Sequence, residues 1–322
     1  MIVGAMLVLV LLGSLLTWGA RHYALRRQLL DQPGERRSHR IATPRGGGIA
    51  IVLTVLLAAL VAMVRFPAMA PTLAVFCAGL LLVAGIGWWD DHRPLPALRR
   101  LVVHLLAAAL LGMLVWQASG NLLQAVLLFL VAAALVNFWN FMDGINGIAA
   151  SQSLVAALGF AAVLPLPAAL AALVLAAACL GFLPFNFPRA RIFMGDVGSG
   201  ALGYLMASLL ALASVVTDIS WLALLLPLSV FIVDAGFTLL TRMLSGQRWM
   251  EAHTQHLYQR AVKAGLSHAR VTGVYILLGL VASAMLLASA AFAPLQQSAI
   301  AVAWGTLLAC LWGVLRLRLH NY

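Results

Sequence analysis

Acidic side chains are scarce in this chain: nine Asp and Glu among 322 residues, against twenty Lys and Arg. Charge of either sign makes up only 9% of the sequence, while hydrophobic residues make up 64%. A water-soluble domain carries about 25% charged residues, so that class is excluded. Also missing is a run of short segments alternating polar and apolar residues, which excludes a transmembrane β-barrel. Cys77, Cys179 and Cys310 stand alone inside apolar runs. With neither metal-ligand spacing nor a disulfide framework, they read as small packing residues. What fills the chain is a succession of apolar runs of roughly 17–25 residues, the length that spans a bilayer as a helix. The mean hydropathy of +1.02 agrees. The expected fold is an all-α, polytopic integral membrane protein.

About eleven spans are expected, at roughly 2–20, 47–64, 71–89, 101–118, 121–137, 148–164, 167–185, 199–216, 221–242, 271–291 and 296–316. The first run has no basic segment before it and no small-residue cleavage site, and Arg21, Arg26 and Arg27 follow it. It is read as a retained span with a periplasmic N-terminus. On this count the loops after spans one, three, five, seven and nine share one side with the C-terminal tail, and hold nearly all the Lys and Arg. The positive-inside rule makes that side cytoplasmic. Retention of basic loops also accounts for the formal charge of +11, which in a soluble protein would point to nucleic acid. Neither stacking aromatics nor a recognition fold accompanies it here, so no nucleic-acid partner is expected. No repeat, linker or shift of composition divides the chain, which is read as one domain, 1–322.

The few acids fall mostly in polar interruptions on the basic side. Arg36–Gly48 ends in Arg45-Gly46-Gly47-Gly48, where backbone N–H groups at a helix start can hold an anion; a flexible basic loop is the plainer reading. Asp90-Asp91 closes the third span, with Arg93, Arg99 and Arg100 beyond it. Paired carboxylates there can bind a divalent cation or act as a base, and arginines can clamp phosphate. An interfacial cap is the plainer alternative. Asn137, Asn140 and Asp143 lie three apart, which on a helix gathers them on one side, suited to a hard cation and a hydrogen-bonded base. Capping is the competing explanation. Asn186 precedes Gly195-Asp196-Val197-Gly198, where the glycines permit close backbone approach and Asp196 can hold a metal or simply cap the next helix. His253 and His256 lie three apart, too few for a zinc site by themselves.

Taken together, TPRGGG, DD with its downstream arginines, NFWNFMDGING, N…IFMGDVGSG and HTQHLYQR closely resemble the polyprenyl-phosphate N-acetylhexosamine-1-phosphate transferase superfamily, in that order, over residues 31–270. Length and the HLYQR ending look most like the bacterial branch that starts O-antigen or related lipopolysaccharide synthesis. The resemblance implies that Asp196 and Asn140 hold Mg²⁺ (or Mn²⁺), that Asn146 lies by the uracil, and that Arg100 contacts phosphate. It places Asp90, Asp91 and Asp143 among the active-site acids, and His253, His256 and Arg260 in a loop that recognises the sugar or phosphates. Arg45, Asn137 and Asn186 are further candidates for substrate binding. Asp234 also fits the pattern, without a clear role. Two departures stand out: Arg189 occupies a position where the family commonly has Pro, and arginine stands at 99 and 100 where it often has Lys, which keeps the charge.

The implied reaction joins undecaprenyl phosphate to the sugar 1-phosphate of a UDP-N-acetylhexosamine, releasing UMP, with the site facing the cytoplasm at the bacterial inner membrane. Two alternatives remain: the phospho-N-acetylmuramoyl-pentapeptide transferase branch, which carries a contiguous histidine cluster where Thr254-Gln255 separates His253 from His256, and a secondary transporter. A transporter places its coupling residues near the midplane.

Overall fold

The computed structural model describes residues 2–32, 41–248, 251 and 253–319. Arg36–Arg40 of the first basic loop and Ala252 of the histidine segment lie outside these. The chain runs α1 (Ile2–Arg26), α2 (Ile49–Arg65), α3 (Ala70–His92), α4 (Ala97–Ser119), α5 (Leu122–Phe141), α6 (Ile148–Val163), α7 (Ala168–Asn186), α8 (Asp196–Val216), α9 (Trp221–Leu224), α10 (Ser229–Leu244), α11 (Leu257–Lys263), α12 (His268–Ser289) and α13 (Pro294–Arg318). The only strands among the described residues are a two-residue antiparallel pair, β1 (Leu30–Asp31) with β2 (Thr43–Pro44), which pins the first loop across its own ends.

Nine helical segments among the described residues are long and apolar enough to cross a membrane, counting Trp221–Leu244 as one, while α2 and α6 are apolar but shorter, at 17 and 16 residues. This is a multi-pass, all-α membrane protein. The ninth segment is broken rather than continuous. Pro227 lacks the N–H that would continue the helix, so a 3₁₀ turn over Leu226–Leu228 separates α9 from α10. Burial grades from the outer helices inward: 11% of the most apolar window of α1 is buried, against 72% of α8. α8 therefore forms the axis, packed by α3, α4, α5 and α6.

Several ends differ from the expected spans, and the differences bear on the site. α3 runs on to His92, so Asp90 and Asp91 sit inside its last turn. α5 runs to Phe141 but stops there, leaving Asp143 in the following turn, outside the helix that carries Asn137 and Asn140. α8 begins at Asp196 itself. Cys77 and Cys179 are buried and Cys310 is exposed, all three unpaired.

Candidate active site

Backbone meets backbone where the first loop crosses the start of α8. The Gly47 and Gly48 N–H groups donate to the carbonyls of Phe193 and Met194 at 2.9 and 2.8 Å, and the Phe193 N–H donates to Pro44 at 2.7 Å. A Cβ on Gly48 would collide with the Gly198 backbone, so this approach requires glycine.

Asp91, 3% exposed, accepts the Asp196 and Val197 N–H groups at 3.0 and 3.1 Å and so caps α8. Arg45 donates to the Asp91 carbonyl and lies 3.9 Å from its carboxylate. Asp90 accepts the Leu95 N–H at 2.6 Å and Arg100 at 3.1 Å, and Arg100 also reaches Asp196 at 2.5 Å. The acidic pair is thus divided: Asp91 fastens α8 to α3, and Asp90 shares Arg100 with Asp196.

Beside this junction opens a cavity of about 190 Å³ lined by Asp31, Arg45, Asp91, Asn140, Asp143, Gly144, Ile145, Asn146, Asn186, Phe193, Met194, Gly195, Asp196, Ser199, Gln259 and His268. That is below the ~300–1,000 Å³ of a site enclosing a whole small-molecule ligand, so a larger ligand projects past its rim. Asn140 donates its side-chain amide to Ser199 Oγ at 3.0 Å, and its side-chain oxygen Oδ1 accepts nothing from the described residues. The Asp143 side chain is likewise without a hydrogen bond there. Burial holds its carboxyl well above the usual carboxylate range, and the nearby Asp196 and Asp91 push it further in the same direction. No group of three His, Cys, Asp or Glu converges on one point among the described residues. Asp196, Asn140 and Asp143 offer only oxygen donors, which fits a hard cation that keeps water and phosphate oxygens in its shell.

The structure brings together Arg45, Asp91, Asn140, Asp143, Asn146, Asn186 and Asp196 at this cavity, and leaves six other sequence candidates off its wall. Asp90 and Arg100 lie behind Asp196. Asn137 donates to Ala133 O at 2.8 Å within α5 and faces His104 of α4, because a three-residue step on a helix turns well short of a full circle. His256 is 2% exposed and stands at the N-cap position of α11, its side chain making no capping bond. The ring of His253 lies 4.8 Å from it. Burial pulls His253 down to about 3, with His256, Arg242 and Arg316 adding to the effect, and lowers His256 also. Both are neutral near pH 7, which does not suit them to clamp phosphate by charge. Arg260 braces Gln255 O and Leu319 O, both at 3.2 Å. Asn186 touches the cavity but spends its amide on Gly147 N–H and Ile192 O, at 2.8 and 2.9 Å.

Asp234 is 2% exposed, yet its carboxylate accepts from five groups: Leu257 N at 2.8 Å, Tyr258 N at 3.3 Å, Tyr275 Oη at 2.7 Å, Trp312 Nε1 at 3.2 Å and Thr238 Oγ1 at 3.4 Å. It ties α10 to α11, α12 and α13. Replacing Tyr275 with Phe removes one charge-assisted bond, which costs about 1.5–3 kcal/mol. The expected result is a thermal midpoint in detergent several degrees lower, with the protein still folded.

Comparison with known proteins gives the family. Residues 73–215 match the model of the family described as glycosyl transferase family 4. The decaprenyl-phosphate N-acetylglucosaminephosphotransferase of Mycobacterium leprae (strain TN) is 31% identical over 311 residues, 80% of this chain and 76% of that protein. The chain belongs to glycosyl transferase family 4. A protein of Bacillus subtilis (strain 168), named as a probable undecaprenyl-phosphate N-acetylglucosaminyl 1-phosphate transferase, is 30% identical over 301 residues, covering 88% of this chain and 83% of its own length. The phospho-N-acetylmuramoyl-pentapeptide-transferase of a Synechococcus (strain JA-3-3Ab) is 30% identical over 293 residues, covering 82% and 84%. This family 4 member is therefore a membrane-embedded transferase of the polyprenyl-phosphate sugar-1-phosphate superfamily. Asp31, Ser199, Gln259 and His268 also line its cavity and went unread in the sequence. Asp31 alone left a signal, as an acid in a loop whose other described charges are Arg27 and Arg45.

Proposed function

We propose that the protein transfers N-acetylhexosamine 1-phosphate from a UDP-N-acetylhexosamine to undecaprenyl phosphate, releasing UMP, at the cytoplasmic face of a bacterial inner membrane. This would be the first membrane step of O-antigen or a related surface polysaccharide. The observation that carries the reading is the gathering of uncommitted oxygen donors, Asp143 and Asn140, with Asp196 in one polar cavity at the end of an apolar bundle.

A phosphate oxygen of the lipid attacks the β-phosphorus of the donor; the new P–O bond joins lipid phosphate to sugar phosphate, and the P–O bond to UMP breaks. Asp143 lines the cavity and answers to no other donor; with its carboxyl held above the usual range, it is placed to donate a hydrogen bond to an oxygen of the lipid phosphate. Arg45, the arginine on the cavity wall, is the cation suited to a phosphate oxygen, while Arg100 orients Asp196 from behind. Mg²⁺ or Mn²⁺ held by Asp196 and Asn140 would supply positive charge against the diphosphate and the departing UMP. Asn146, with its amide on Pro188 O at 3.0 Å, marks the side for the base.

Transport is disfavoured because these acids collect at one end of the bundle rather than at its middle. Transfer of phospho-N-acetylmuramoyl-pentapeptide is the alternative within the family. Purified protein supplied with undecaprenyl phosphate and a panel of UDP-aminosugars, with and without Mg²⁺, is expected to release UMP in a lipid- and Mg²⁺-dependent way from one N-acetylhexosamine donor. Release only with the muramoyl-pentapeptide donor would move the assignment to the alternative, and none at all from folded protein would refute transfer.

A further inference from the structure

Gln259 is the one residue of α11 that lines the cavity. Its neighbours Tyr258 and Arg260 are turned inward and buried. A capping role accounts for half of its side chain: Oε1 accepts the His256 N–H at 3.2 Å at the start of the helix. The amide NH₂ is left over. It lies against the Tyr258 hydroxyl, beside the Gly144 N–H. That NH₂ carries two donors, and one phenol oxygen occupies only one of them.

The position of Gln259 is held from two directions. Asp234 accepts the N–H groups of Leu257 and Tyr258, the two residues before it. On the other side the Tyr258 hydroxyl donates to Phe141 O at 3.0 Å, and the ring fills the space over Gly144, in the turn that carries Asp143. A buried carboxylate thus sets where α11 meets the catalytic turn.

We infer that Gln259 is a substrate-contact residue that donates a hydrogen bond to the sugar nucleotide, and that Asp234 is the positioning residue holding it there. The inference rests on the transfer proposed above. The sugar nucleotide is the occupant because the cavity wall around Gln259 is polar, with Asp143, Asn146 and His268, and a sugar, its acetamido group and a diphosphate all present acceptors.

Gln259→Glu keeps the oxygen that caps His256 and removes the NH₂; Gln259→Leu removes both without adding charge. Each is expected to raise KM for the sugar nucleotide about 10- to 100-fold, the range for losing a hydrogen bond to a charged or buried partner. The KM for undecaprenyl phosphate and kcat should stay within about threefold, the pattern of lost donor binding. Tyr258→Phe, which loses the bond to Phe141 and the oxygen beside the Gln259 amide, should raise the same KM by about three- to tenfold. An unchanged donor KM in Gln259→Leu, or a fall in kcat alone, would reduce Gln259 to a helix cap and overturn the assignment. Asp234→Asn, which keeps the shape but weakens the bonds to the Leu257 and Tyr258 N–H groups, should raise the same KM in step, and a folded Asp234→Asn variant with the parent's donor KM would overturn the positioning role. Parent protein that releases no UMP from any donor would refute transfer itself, whereas release with unmoved variant KM values refutes only this inference.

Discussion

Asp196→Asn is expected to lower kcat by about a thousandfold or more while leaving the protein folded, the scale for removing a group that stabilises charge in a transition state. Asp196 opens α8, and the bonds that set this helix against α3 run from its backbone, not its carboxylate: the Asp196 and Val197 N–H groups donate to Asp91. Asn preserves the shape and those bonds. What disappears is the negative charge at the cavity wall, which faces Arg100 at 2.5 Å and, in the proposed reaction, the metal. Rates of UMP release, set beside the thermal midpoint in detergent, separate the two contributions. Full activity in the variant would remove Asp196 from any metal-holding role.

A comparable loss should follow from a change that touches no titratable group. Gly48→Val places side-chain atoms where the Gly198 backbone and the Met194 side chain already stand, with the Gly198 nitrogen 2.9 Å from even the first added carbon. Backbone cannot rotate out of the way as a long side chain can, so the glycine turn and the first turn of α8 must part. Overpacking costs about 1–3 kcal/mol or more, and here the bonds from Gly47 and Gly48 to Phe193 and Met194 are lost with it. UMP release is expected to fall about a hundredfold or more, as positioning is lost at the cavity wall. The matching control is Gly4→Val on α1, where an added Cβ meets nothing within 4 Å. It should leave both rate and midpoint unchanged.

Helices that cross a membrane announce themselves by apolar length, which is why each expected span finds a helical counterpart. Their ends were less legible. Asp90, Asp91 and Asp196 are polar, so hydropathy stopped short of them, yet each lies in a helical turn because its neighbours satisfy it. Motifs brought Asn140, Asp143 and Asp196 to one place, since short loops on one side of a bundle have nowhere else to meet. The division of labour inside a motif was not readable. Asn137 and Asn140 share a segment, but one faces His104 and the other Ser199, a distinction made by which helices pack on α5. Asp234 was opaque for a related reason: its partners come from four helices up to 78 residues away. Gln259 reads as an ordinary polar residue until Asp234 fixes the turn that carries it.

The two short helices have a consequence for depth. α2 and α6, at 17 and 16 residues, begin at the glycine-rich turns that border the cavity. At 1.5 Å per residue they reach about 25 Å, several ångströms less than the roughly 30 Å of hydrocarbon in a bilayer. A helix that short leaves some of its connecting backbone within the hydrocarbon thickness. There irregular backbone survives only when buried in protein or facing a water-filled recess, and the polar cavity offers the latter. A phosphate anchored to a polyprenyl chain meets such a recess sideways, with its first isoprene units still in hydrocarbon. The acceptor then arrives and departs by lateral diffusion, and no part of turnover has to lift a long polyprenyl tail into water.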